Sequence, residues 1–519
     1  MKRLVTATAM LAGSTSIASA DYTLHILHTN DMHSRIESIN RFDSTCNAEG
    51  EAEGKCFGGI ARVKTALDQK RADLSGQNVL VLDAGDPFQG SLFYSTYKGA
   101  AEAEFMEKIG YDAMAVGNHE FDDGPKGLAD FIEKVSFPVV SGNLDLEGEP
   151  LLAGKVEKHV VIEVGGRKVG IVSALATDTV ETSSPGENVI FQDEVEALQA
   201  DVAALEAEGV DIIIALNHVG LPRDLEIAAA VPGIDVVIGG HSHTLMSNDD
   251  AETPAYPTLV DGRPVAQAYA YTKYLGHLAV DFDDAGAVTG ASGDPMLLDA
   301  SVTPDEAFIA RISEMGAPIE ELKNRVVAET SNEIIGSRDE CRARECAMGN
   351  LIADAMLDRV KDQGIEIAIQ NGGGIRASID AGEVTMGEVL TVLPFQNTLS
   401  TFQVTGATIL AALENGVSQH EEGAGRFPQV AGMSYTFDLA QPPGSRVSDV
   451  MVGDAPLDPE KVYGVVSNNY VRNGGDGYSM FKDAMNAYDF GPDLADVTAD
   501  YIAANAPYTP YMDGRITMK

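Results

Sequence analysis

Five apolar runs in the first half of the chain each end in acidic, amide or imidazole side chains. Unbroken apolar runs of this length are typical of parallel strands that are buried on both faces. Because the carboxyl ends of strands in an open α/β sheet converge on one crevice, we expect the polar side chains at these ends to lie together. The runs with their polar ends are Leu24–His33, Val79–Asp86, Ala113–Glu120, Ile212–His218 and Val236–His243.

Helical periodicity fills the intervals between these runs. Apolar residues recur at helical spacing in the segments 58–74, 100–109, 127–135 and 195–205, which predicts amphipathic helices. Strands and helices that alternate in this way predict a layered α/β domain over residues 21–302.

A helical connector is predicted where this first domain ends. Thr303-Pro-Asp-Glu306 combines an N-cap threonine, a proline at the first helical position and an acid at the third. The apolar positions that follow continue the helical spacing. We therefore predict a semi-rigid connector over residues 303–327.

A second α/β domain is predicted over residues 328–519. Helices at 348–360 and 388–393 alternate with strands at Ile365–Ile369 and Val462–Asn468. A length of 519 residues also favours at least two domains. The predicted fold class is therefore α/β, with an N-terminal layered domain and a C-terminal domain joined by the helical connector.

The N-terminus has the features of an export signal. Two basic residues precede an apolar stretch and the small-residue motif Ala18-Ser-Ala20. This pattern predicts a signal peptide over residues 1–20, a mature chain that begins at Asp21 and a periplasmic or extracellular location. No later apolar run is long enough for a membrane span.

The four cysteines form two close pairs, Cys46 with Cys56 and Cys341 with Cys346. In an exported protein such pairs predict disulfides. A zinc site is the alternative interpretation, but neither pair has the CxxC spacing of common zinc sites.

The chain is strongly acidic, with 79 acidic against 36 basic residues and a net charge of −43. A field of this sign opposes binding to DNA, RNA and anionic membranes. We interpret the charge as a solvated surface that aids solubility, and we expect no nucleic acid polymer as a partner. The sequence leaves open whether the protein is a monomer or a homodimer.

The polar ends of the five runs supply the residue types that bind divalent metal ions. Hydrolysis of a phosphate ester needs an activated water and stabilisation of the charge on the phosphoryl oxygens, and two adjacent metal ions provide both. The candidate metal ligands are Asp31, His33, Asp86, Asn118, His218, His241 and His243.

In their order along the chain, the fragments Asp-x-His, Gly-Asp, Gly-Asn-His-Glu, a single His and Gly-His-x-His resemble the calcineurin-type metallophosphoesterases. The resemblance implies one metal held by Asp31, His33 and His243, another held by Asn118, His218 and His241, and Asp86 as the bridge. It also implies that His119 supports the transition state and the leaving group, and that Asp122 orients His119. Zinc is the leading expectation for both metals, with manganese, cobalt, iron or magnesium as alternatives.

Two loops of the second domain concentrate arginine in an otherwise acidic chain. The loop Asn371-Gly-Gly-Gly-Ile-Arg376 and the loop between Cys341 and Cys346, which contains Arg342, have a composition that favours anion capture. Surface salt bridges are the alternative interpretation of these arginines.

Aromatic residues at element ends in the same domain favour nucleobase stacking. Phe395 and Tyr470 offer ring faces, on which bases stack with little selectivity. Asp476 is an acceptor for ribose hydroxyls. The alternatives are core packing for the rings and a turn aspartate for Asp476.

These loops resemble the C-terminal domain of the 5′-nucleotidase family, which includes bacterial UDP-sugar hydrolases and animal ecto-5′-nucleotidases. The resemblance is closest to the animal enzymes, and it implies a base held between Phe395 and Tyr470 and a ribose held by Asp476. It further implies contacts to the phosphate and sugar from Arg342, Asn371 and Arg376, with Arg35 nearby. It also implies that both cysteine pairs are bridged, and that the C-terminal domain rotates about the connecting helix.

The expected function is that of a secreted dimetal 5′-nucleotidase that converts nucleoside 5′-monophosphates to nucleoside and phosphate. Nucleoside di- and triphosphates and nucleotide sugars are further candidate substrates. A 2′,3′-cyclic phosphodiesterase with 3′-nucleotidase activity and a UDP-sugar hydrolase of the same fold are alternatives. A nucleotide-binding or adhesive surface protein without catalysis is a third, and the intact set of candidate ligands argues against it.

Overall fold

The computed structural model describes residues 22–41, 43 and 45–519. The predicted signal peptide, residues 1–20, lies outside the described residues. Within the described part of the chain, no helix is long and apolar enough to cross a membrane. The chain forms two α/β domains and a long helix between them, which confirms the predicted fold class.

Two mixed sheets pack face to face in the N-terminal domain. The first contains, in spatial order, Val288–Gly293, Tyr274–Phe282, Tyr22–Thr29, Asn78–Asp83, Ala113–Ala115 and Val139–Val140, with Met296–Leu297 beside the second of these strands. The second contains Thr258–Val260, Arg263–Ala266, Val236–Ile238, Ile212–Leu216, Arg167–Val172 and His159–Val164. A small ladder joins Leu144–Asp145 to Ile190–Phe191. Side chains such as Leu82 and Ile214 belong to the core between the two large sheets.

The five apolar runs form strands as predicted, but they are divided between the two sheets instead of lying in one open sheet. A strand in either arrangement is buried on both faces, because helices cover one face and the second sheet covers the other. Apolar runs alone therefore do not distinguish one sheet from two. The carboxyl ends of these strands nevertheless meet at one edge of the domain.

Helices pack against both sheets of this domain. The helices of the domain, of which the first is exposed, are Ala48–Ala52, Ile60–Asp73, Leu92–Tyr97, Ala100–Ile109, Gly124–Ile132, Thr179–Thr182, Glu194–Ala207 and Leu221–Ala230. The four predicted helices are confirmed, and their ends differ from the predicted ends by no more than three residues.

The connector is the helix Glu306–Lys323. Its N-cap is Asp305, whose carboxylate accepts the backbone N–H of Phe308 at 2.9 Å. The prediction of Thr303 as the N-cap is therefore wrong. Both residue types cap helices well, and the side chain nearer the first turn takes the role here. Phe308 and Met315 anchor the helix in the core of the N-terminal domain.

The C-terminal domain contains three sheets. The five-stranded sheet contains, in spatial order, Pro428–Ala431, Ile367–Asn371, Val462–Asn468, Leu399–Thr405 and Met485–Tyr488. The four-stranded sheet contains Ala455–Pro456, Val447–Val452, Met433–Phe437 and Ile516–Met518, and a ladder joins Val326–Thr330 to Gly382–Thr385. The helices are Arg338–Cys341, Ala347–Arg359, Met386–Val392, Gly406–Val417, Asn469–Arg472 and Leu494–Ala504. The strand Val462–Asn468 is found as predicted. The strand that was predicted at Ile365–Ile369 lies two residues later, at Ile367–Asn371.

Candidate functional site

The candidate metal ligands come together where strands of both N-terminal sheets end. Nε2 of His33 lies 2.8 Å from Nε2 of His243, which in turn lies 3.3 Å from Oδ1 of Asp31. Nε2 of His218 lies 3.0 Å from Oδ2 of Asp86. Side chains from widely separated parts of the chain thus meet at hydrogen-bonding distances.

The potential ligand atoms form three overlapping groups. In each group the atoms lie within 4.8 Å of one another, and the groups are Asp31 with His33 and His243, Asp86 with His218 and His241, and His33 with Asp86 and His119. Oδ1 of Asn118 joins the second group, 2.9 Å from Nδ1 of His241 and 3.2 Å from Nε2 of His218. The first two groups contain residues that the resemblance assigns to different metal ions, and the third joins Asp86 to His33 of the first.

The chemistry of the cluster fits divalent metal ions. Asp31, Asp86 and His218 are fully buried, and carboxylates and imidazoles that are crowded together away from water are costly without compensation. A mixed set of imidazole nitrogens and carboxylate and amide oxygens is a ligand set for divalent transition metals. The residues present therefore fit a pair of such ions.

The backbone at the cluster is strained. Positive φ angles occur at Asp31, His33, Asp86, His241 and His243, in a region that side chains other than glycine rarely adopt. Such strain persists only where the surroundings impose it, and it concentrates at functional sites. The backbone conformation at these five positions directs their side chains toward the cluster.

One glycine explains how closely the loops approach. A Cβ atom at Gly117 would lie 2.2 Å from Oδ1 of Asp86, so any larger residue would displace this carboxylate. The backbone N–H of His119 then donates to the same oxygen at 2.9 Å. Gly117 thus allows the loop that carries Asn118 and His119 to pack directly on Asp86.

Backbone carbonyl groups orient the imidazole rings. Nδ1 of His218 lies 2.7 Å from the carbonyl oxygen of Ala84, and Nδ1 of His33 lies 3.2 Å from that of Phe88. A proton on Nδ1 that donates to a carbonyl leaves Nε2 as the free ligand atom. In both rings Nε2 is the atom that faces the cluster.

Glu120 is a functional residue of the site to which the sequence reasoning assigned no role. Its buried carboxyl group accepts the backbone N–H groups of Gly117 at 2.7 Å, Asp86 at 3.1 Å and Phe88 at 3.3 Å. Burial and the charge of Asp86 raise the pKa of Glu120 to about 8. Glu120 therefore ties together the two loops that carry Asp86 and Asn118. Its place in the Gly-Asn-His-Glu fragment was the only signal for it in the sequence.

Replacement of Glu120 by alanine is expected to lower metal affinity about 10- to 100-fold, the usual effect of losing a residue that orients a metal ligand. Titration of the apo protein with Zn²⁺ against a chromogenic chelator measures this affinity. Glu120→Gln keeps one oxygen that can accept from Gly117 and Asp86. Its NH2 group would face the N–H of Phe88, so this variant should recover only part of the affinity. Glu133→Ala, at an exposed acid of the same domain, serves as the control. Unchanged affinity in Glu120→Ala would contradict the assigned role.

His119 and Asp122 form a pair beside the candidate metal ligands. Nδ1 of His119 lies 2.7 Å from Oδ2 of Asp122, and the hydroxyl of Ser183 donates to Oδ1 of the same carboxylate at 2.8 Å. Burial lowers the pKa of His119, but the charges of Asp122 and Asp86 raise it more, to about 9. Nε2 of His119 is buried, and within the described residues it has no hydrogen-bond partner. This atom is therefore available to a ligand at the cluster.

The predicted nucleotide residues form a second cluster in the C-terminal domain. The amide of Asn371 donates to Oδ2 of Asp476 at 2.8 Å, and the hydroxyl of Tyr470 donates to Oδ1 of Asp476 at 3.1 Å. Asn371 ends one central strand, and Tyr470 follows the end of the next. The guanidinium of Arg376 lies 5.5 Å from the ring centre of Phe395.

Arg342 lies in a braced loop at the same cluster. Its Nε is buried, and the described residues offer it no hydrogen-bond acceptor. The loop is closed by the Cys341–Cys346 disulfide. The side-chain amide of Gln429 donates to the carbonyls of Cys341 at 2.9 Å and Arg344 at 2.7 Å. Gln429 is a second residue that the sequence reasoning missed, because it lies far from the loop in the chain.

The other arginine of this loop has a different environment. Arg344 is exposed and pairs with Glu340 at 2.6 Å, which is the surface salt bridge that was the alternative interpretation. The second cysteine pair, Cys46 with Cys56, is also joined in the structure. No free cysteine occurs in the described part of the chain.

Arg35 lies next to the metal cluster and not in the second cluster. Its Nη1 donates to the carbonyl of His33 at 3.3 Å, and its guanidinium lies 4.9 Å from the ring centre of Tyr271. Arg35, Gln89 and His119 line a small cavity beside the cluster. The arginine is therefore within reach of a ligand bound there.

Comparison with known proteins identifies the family. Residues 24–245 match the calcineurin-like phosphoesterase family, and residues 326–483 match the C-terminal domain of 5′-nucleotidases. A 5′-nucleotidase of Diplobatis ommata is 40% identical over 96% of this chain and 90% of its own length. The chain belongs to the 5′-nucleotidase family. The resemblance seen in the sequence is thereby confirmed.

Solved structures of similar proteins share the two-domain organisation of this family member. A 5′-nucleotidase precursor of Thermus thermophilus is 42% identical, with a TM-score of 0.60. An NAD nucleotidase of Haemophilus influenzae is 27% identical, with a TM-score of 0.80. Each match covers 96% of this chain and 99% of the other.

Proposed function

We propose that this protein is an exported dimetal 5′-nucleotidase that hydrolyses nucleoside 5′-monophosphates to nucleoside and inorganic phosphate. The observation that carries the proposal is the presence, in one chain, of a convergent cluster of metal-ligand side chains and a separate cluster with aromatic, aspartate and arginine groups. The identity of 40% to a 5′-nucleotidase over 96% of the chain supports it.

In this proposal Asp31, His33 and His243 would hold one metal ion, Asn118, His218 and His241 would hold the other, and Asp86 would be a ligand to both. When bound, the ions supply an activated water at neutral pH and neutralise charge on the phosphoryl oxygens. Zinc is the expected metal, with manganese, cobalt, iron or magnesium as alternatives. Metal analysis of the purified protein distinguishes them.

His119 is proposed as the group that assists the departing nucleoside oxygen. Its Nδ1 faces Asp122 at 2.7 Å, which fixes the ring and leaves Nε2 directed toward the cluster. A positioned imidazole can hold a proton at this atom and deliver it as the bond to phosphorus breaks. Arg35, beside the same cavity, is proposed to contact the phosphate side of the substrate.

The C-terminal cluster is proposed to hold the nucleoside. Phe395 and Tyr470 stack on the base, and Asp476 accepts hydrogen bonds from the ribose hydroxyls. The remaining contacts to the phosphate and sugar come from Arg342, Asn371 and Arg376. The unpaired Nε of Arg342 among the described residues supports an anion at this loop.

We further propose that the domain boundaries are 21–302, 303–327 and 328–519, with the hinge in or beside the middle segment. The Thermus protein has the higher identity but the lower TM-score at equal coverage. Domains that keep their folds but change their relative placement lower a whole-chain score in this way. This supports movement of the C-terminal domain within the family.

A substrate panel tests the proposed function. AMP, ATP, UDP-glucose, NAD, 3′-AMP and 2′,3′-cyclic AMP should be compared by phosphate release and product chromatography with the metal-loaded protein. Preferred hydrolysis of AMP supports the proposal. A preference for NAD would favour the activity for which the Haemophilus relative is named. Binding of AMP without any phosphate release would indicate a binding protein.

Phe395→Ala is expected to raise KM for AMP about 5- to 150-fold, because a stacked base contributes ~1–3 kcal/mol. Steady-state kinetics over AMP concentration measure the change. Phe191→Ala, at a partly exposed ring of the N-terminal domain, is the matched control and should leave KM unchanged. An unchanged KM in Phe395→Ala would argue against the base contact.

Export is tested on the secreted protein itself. N-terminal sequencing should find Asp21 as the first residue, because the small-residue motif before it fits a cleavage site. A mature protein that retains Met1 would contradict the predicted signal peptide. Light scattering of the same sample distinguishes monomer from homodimer.

A further inference from the structure

Aromatic side chains of the C-terminal domain cover the metal cluster. We call Tyr488, Asp489 and Phe490 the aromatic tip, since they lie at the end of the edge strand Met485–Tyr488. The ring centre of Phe490 lies 3.9 Å from that of His243, 5.9 Å from His241 and 6.2 Å from His33. One phenyl ring therefore contacts candidate ligands of both metal ions.

A hydrogen bond holds the tip over the second metal group. The side-chain amide of Asn118 donates to the hydroxyl of Tyr488 at 3.0 Å. That hydroxyl donates to the carbonyl of Phe490 at 2.9 Å. Within the described residues, the hydrogen bonds and ring contacts that the candidate ligands make with the C-terminal domain all go to the tip.

The tip is a firm part of its sheet. The hydroxyl of Thr398 donates to the carbonyl of Asp489 at 2.8 Å, and the backbone N–H of Gly491 donates to Leu399 at 2.9 Å. The tip therefore moves with the five-stranded sheet and not as a separate loop.

The nucleotide cluster and the tip lie along the same edge of that sheet. The strands Val462–Asn468 and Met485–Tyr488 are both antiparallel to Leu399–Thr405, so both end at the same edge. Asn371 ends a strand parallel to the first of these. Two or three strand spacings of ~4.8 Å separate the tip from the nucleotide cluster, roughly 10–14 Å along the edge.

We propose that the aromatic tip is a specificity filter that alternates with the bound nucleotide at the metal centre. This inference rests on the proposed function. The nucleotide cluster and the aromatic tip are both attached to the five-stranded sheet. A movement of this sheet that brings the nucleotide cluster to the metals therefore withdraws Phe490. A nucleotide is held by its base and ribose and gains contacts from this exchange. A simple phosphate ester, which lacks both, meets a covered centre.

Phe490→Ala in the full-length, metal-loaded protein tests the filter. The value of kcat/KM for glycerol 2-phosphate, relative to that for AMP, should rise roughly 3- to 10-fold, as expected when an aromatic contact is lost. Release of metal to a chelator should accelerate by a similar factor, and this readout does not depend on turnover. Phe490→Leu keeps an apolar cover and should stay close to wild type.

Two further variants complete the test. Tyr488→Phe removes only the hydroxyl that joins Asn118 to the tip, and it should shift both readouts in the same direction by a smaller factor. Met485→Ala, at an exposed position of the same strand, is the control and should shift neither.

The outcomes separate the filter from the proposed function. If Phe490→Ala hydrolyses AMP while its ester selectivity and its rate of metal release stay at the wild-type values, the filter is overturned and the proposed function stays intact. Faster metal release without hydrolysis of any nucleotide would support the covering role of the tip and overturn the function, and with it the specificity claim.

Discussion

Asp86→Asn is expected to remove metal from the centre and to lower phosphate release from AMP by about a thousandfold or more, since bound metal ions stabilise the transition state by several kcal/mol. Asp86 lies with His33 in one group of potential ligand atoms and with His218 and His241 in another. Its Oδ2 lies 3.0 Å from Nε2 of His218 and 3.9 Å from Nε2 of His33. Asparagine has nearly the same shape but no charge, so its amide oxygen is a much weaker ligand for two cations than the carboxylate.

Metal content per chain, measured by plasma emission spectroscopy, and initial rates of phosphate release test this expectation together. Asp130→Asn, at an exposed acid that pairs with Lys126, provides a charge-matched control. Two metal ions per chain and a rate within tenfold of wild type in Asp86→Asn would exclude a bridging role.

The strand ends of the N-terminal domain were predictable because their signal is local. Each apolar run specifies a buried strand, and its last residues are delivered to a sheet edge wherever that strand lies. The side chains of Asp86, Asn118 and His218 could therefore be placed together on the strength of the sequence pattern alone. Their residue types are those of metal ligands, which predicted the chemistry as well.

The division of those strands between two sheets was not predictable in the same way. The pairing partners of a strand depend on long-range contacts. A strand that is buried on both faces has the same apolar sequence pattern in one open sheet and in two packed sheets. The prediction of the N-cap of the connector was wrong for a more local reason. Thr303 and Asp305 both carry capping side chains, and only the packed position of the helix decides between them.

Residues that act through backbone contacts left little trace in the sequence. Glu120 and Gln429 accept from or donate to main-chain groups of distant loops, and only Glu120 lies in a recognisable motif, Gly-Asn-His-Glu. Phe490 is the extreme case. It lies more than 240 positions from His243 in the chain, and only the tertiary structure brings their rings to 3.9 Å.

His119→Ala is expected to reduce kcat for AMP by about 10²- to 10⁴-fold, the usual contribution of a positioned general acid. Metal content should stay at the wild-type level, because all seven proposed ligands remain in this variant and Nδ1 of His119 is held by Asp122. Asp122→Asn should cause a smaller loss, since the imidazole remains but loses the carboxylate that orients it. Metal loss with unchanged activity per bound metal would contradict the role of His119.

The leaving group identifies what His119 does. A nucleoside departs as an alkoxide that needs a proton, whereas p-nitrophenolate departs without one. If Nε2 supplies that proton, the ratio of variant to wild-type kcat should be far closer to one for p-nitrophenyl phosphate than for AMP. For each substrate, the kcat of the variant is divided by the kcat of the wild type. The lower affinity of a simple ester therefore does not affect the comparison between substrates. Equal losses for both substrates would instead assign His119 to the charge on the phosphoryl oxygens, because that charge develops with either leaving group.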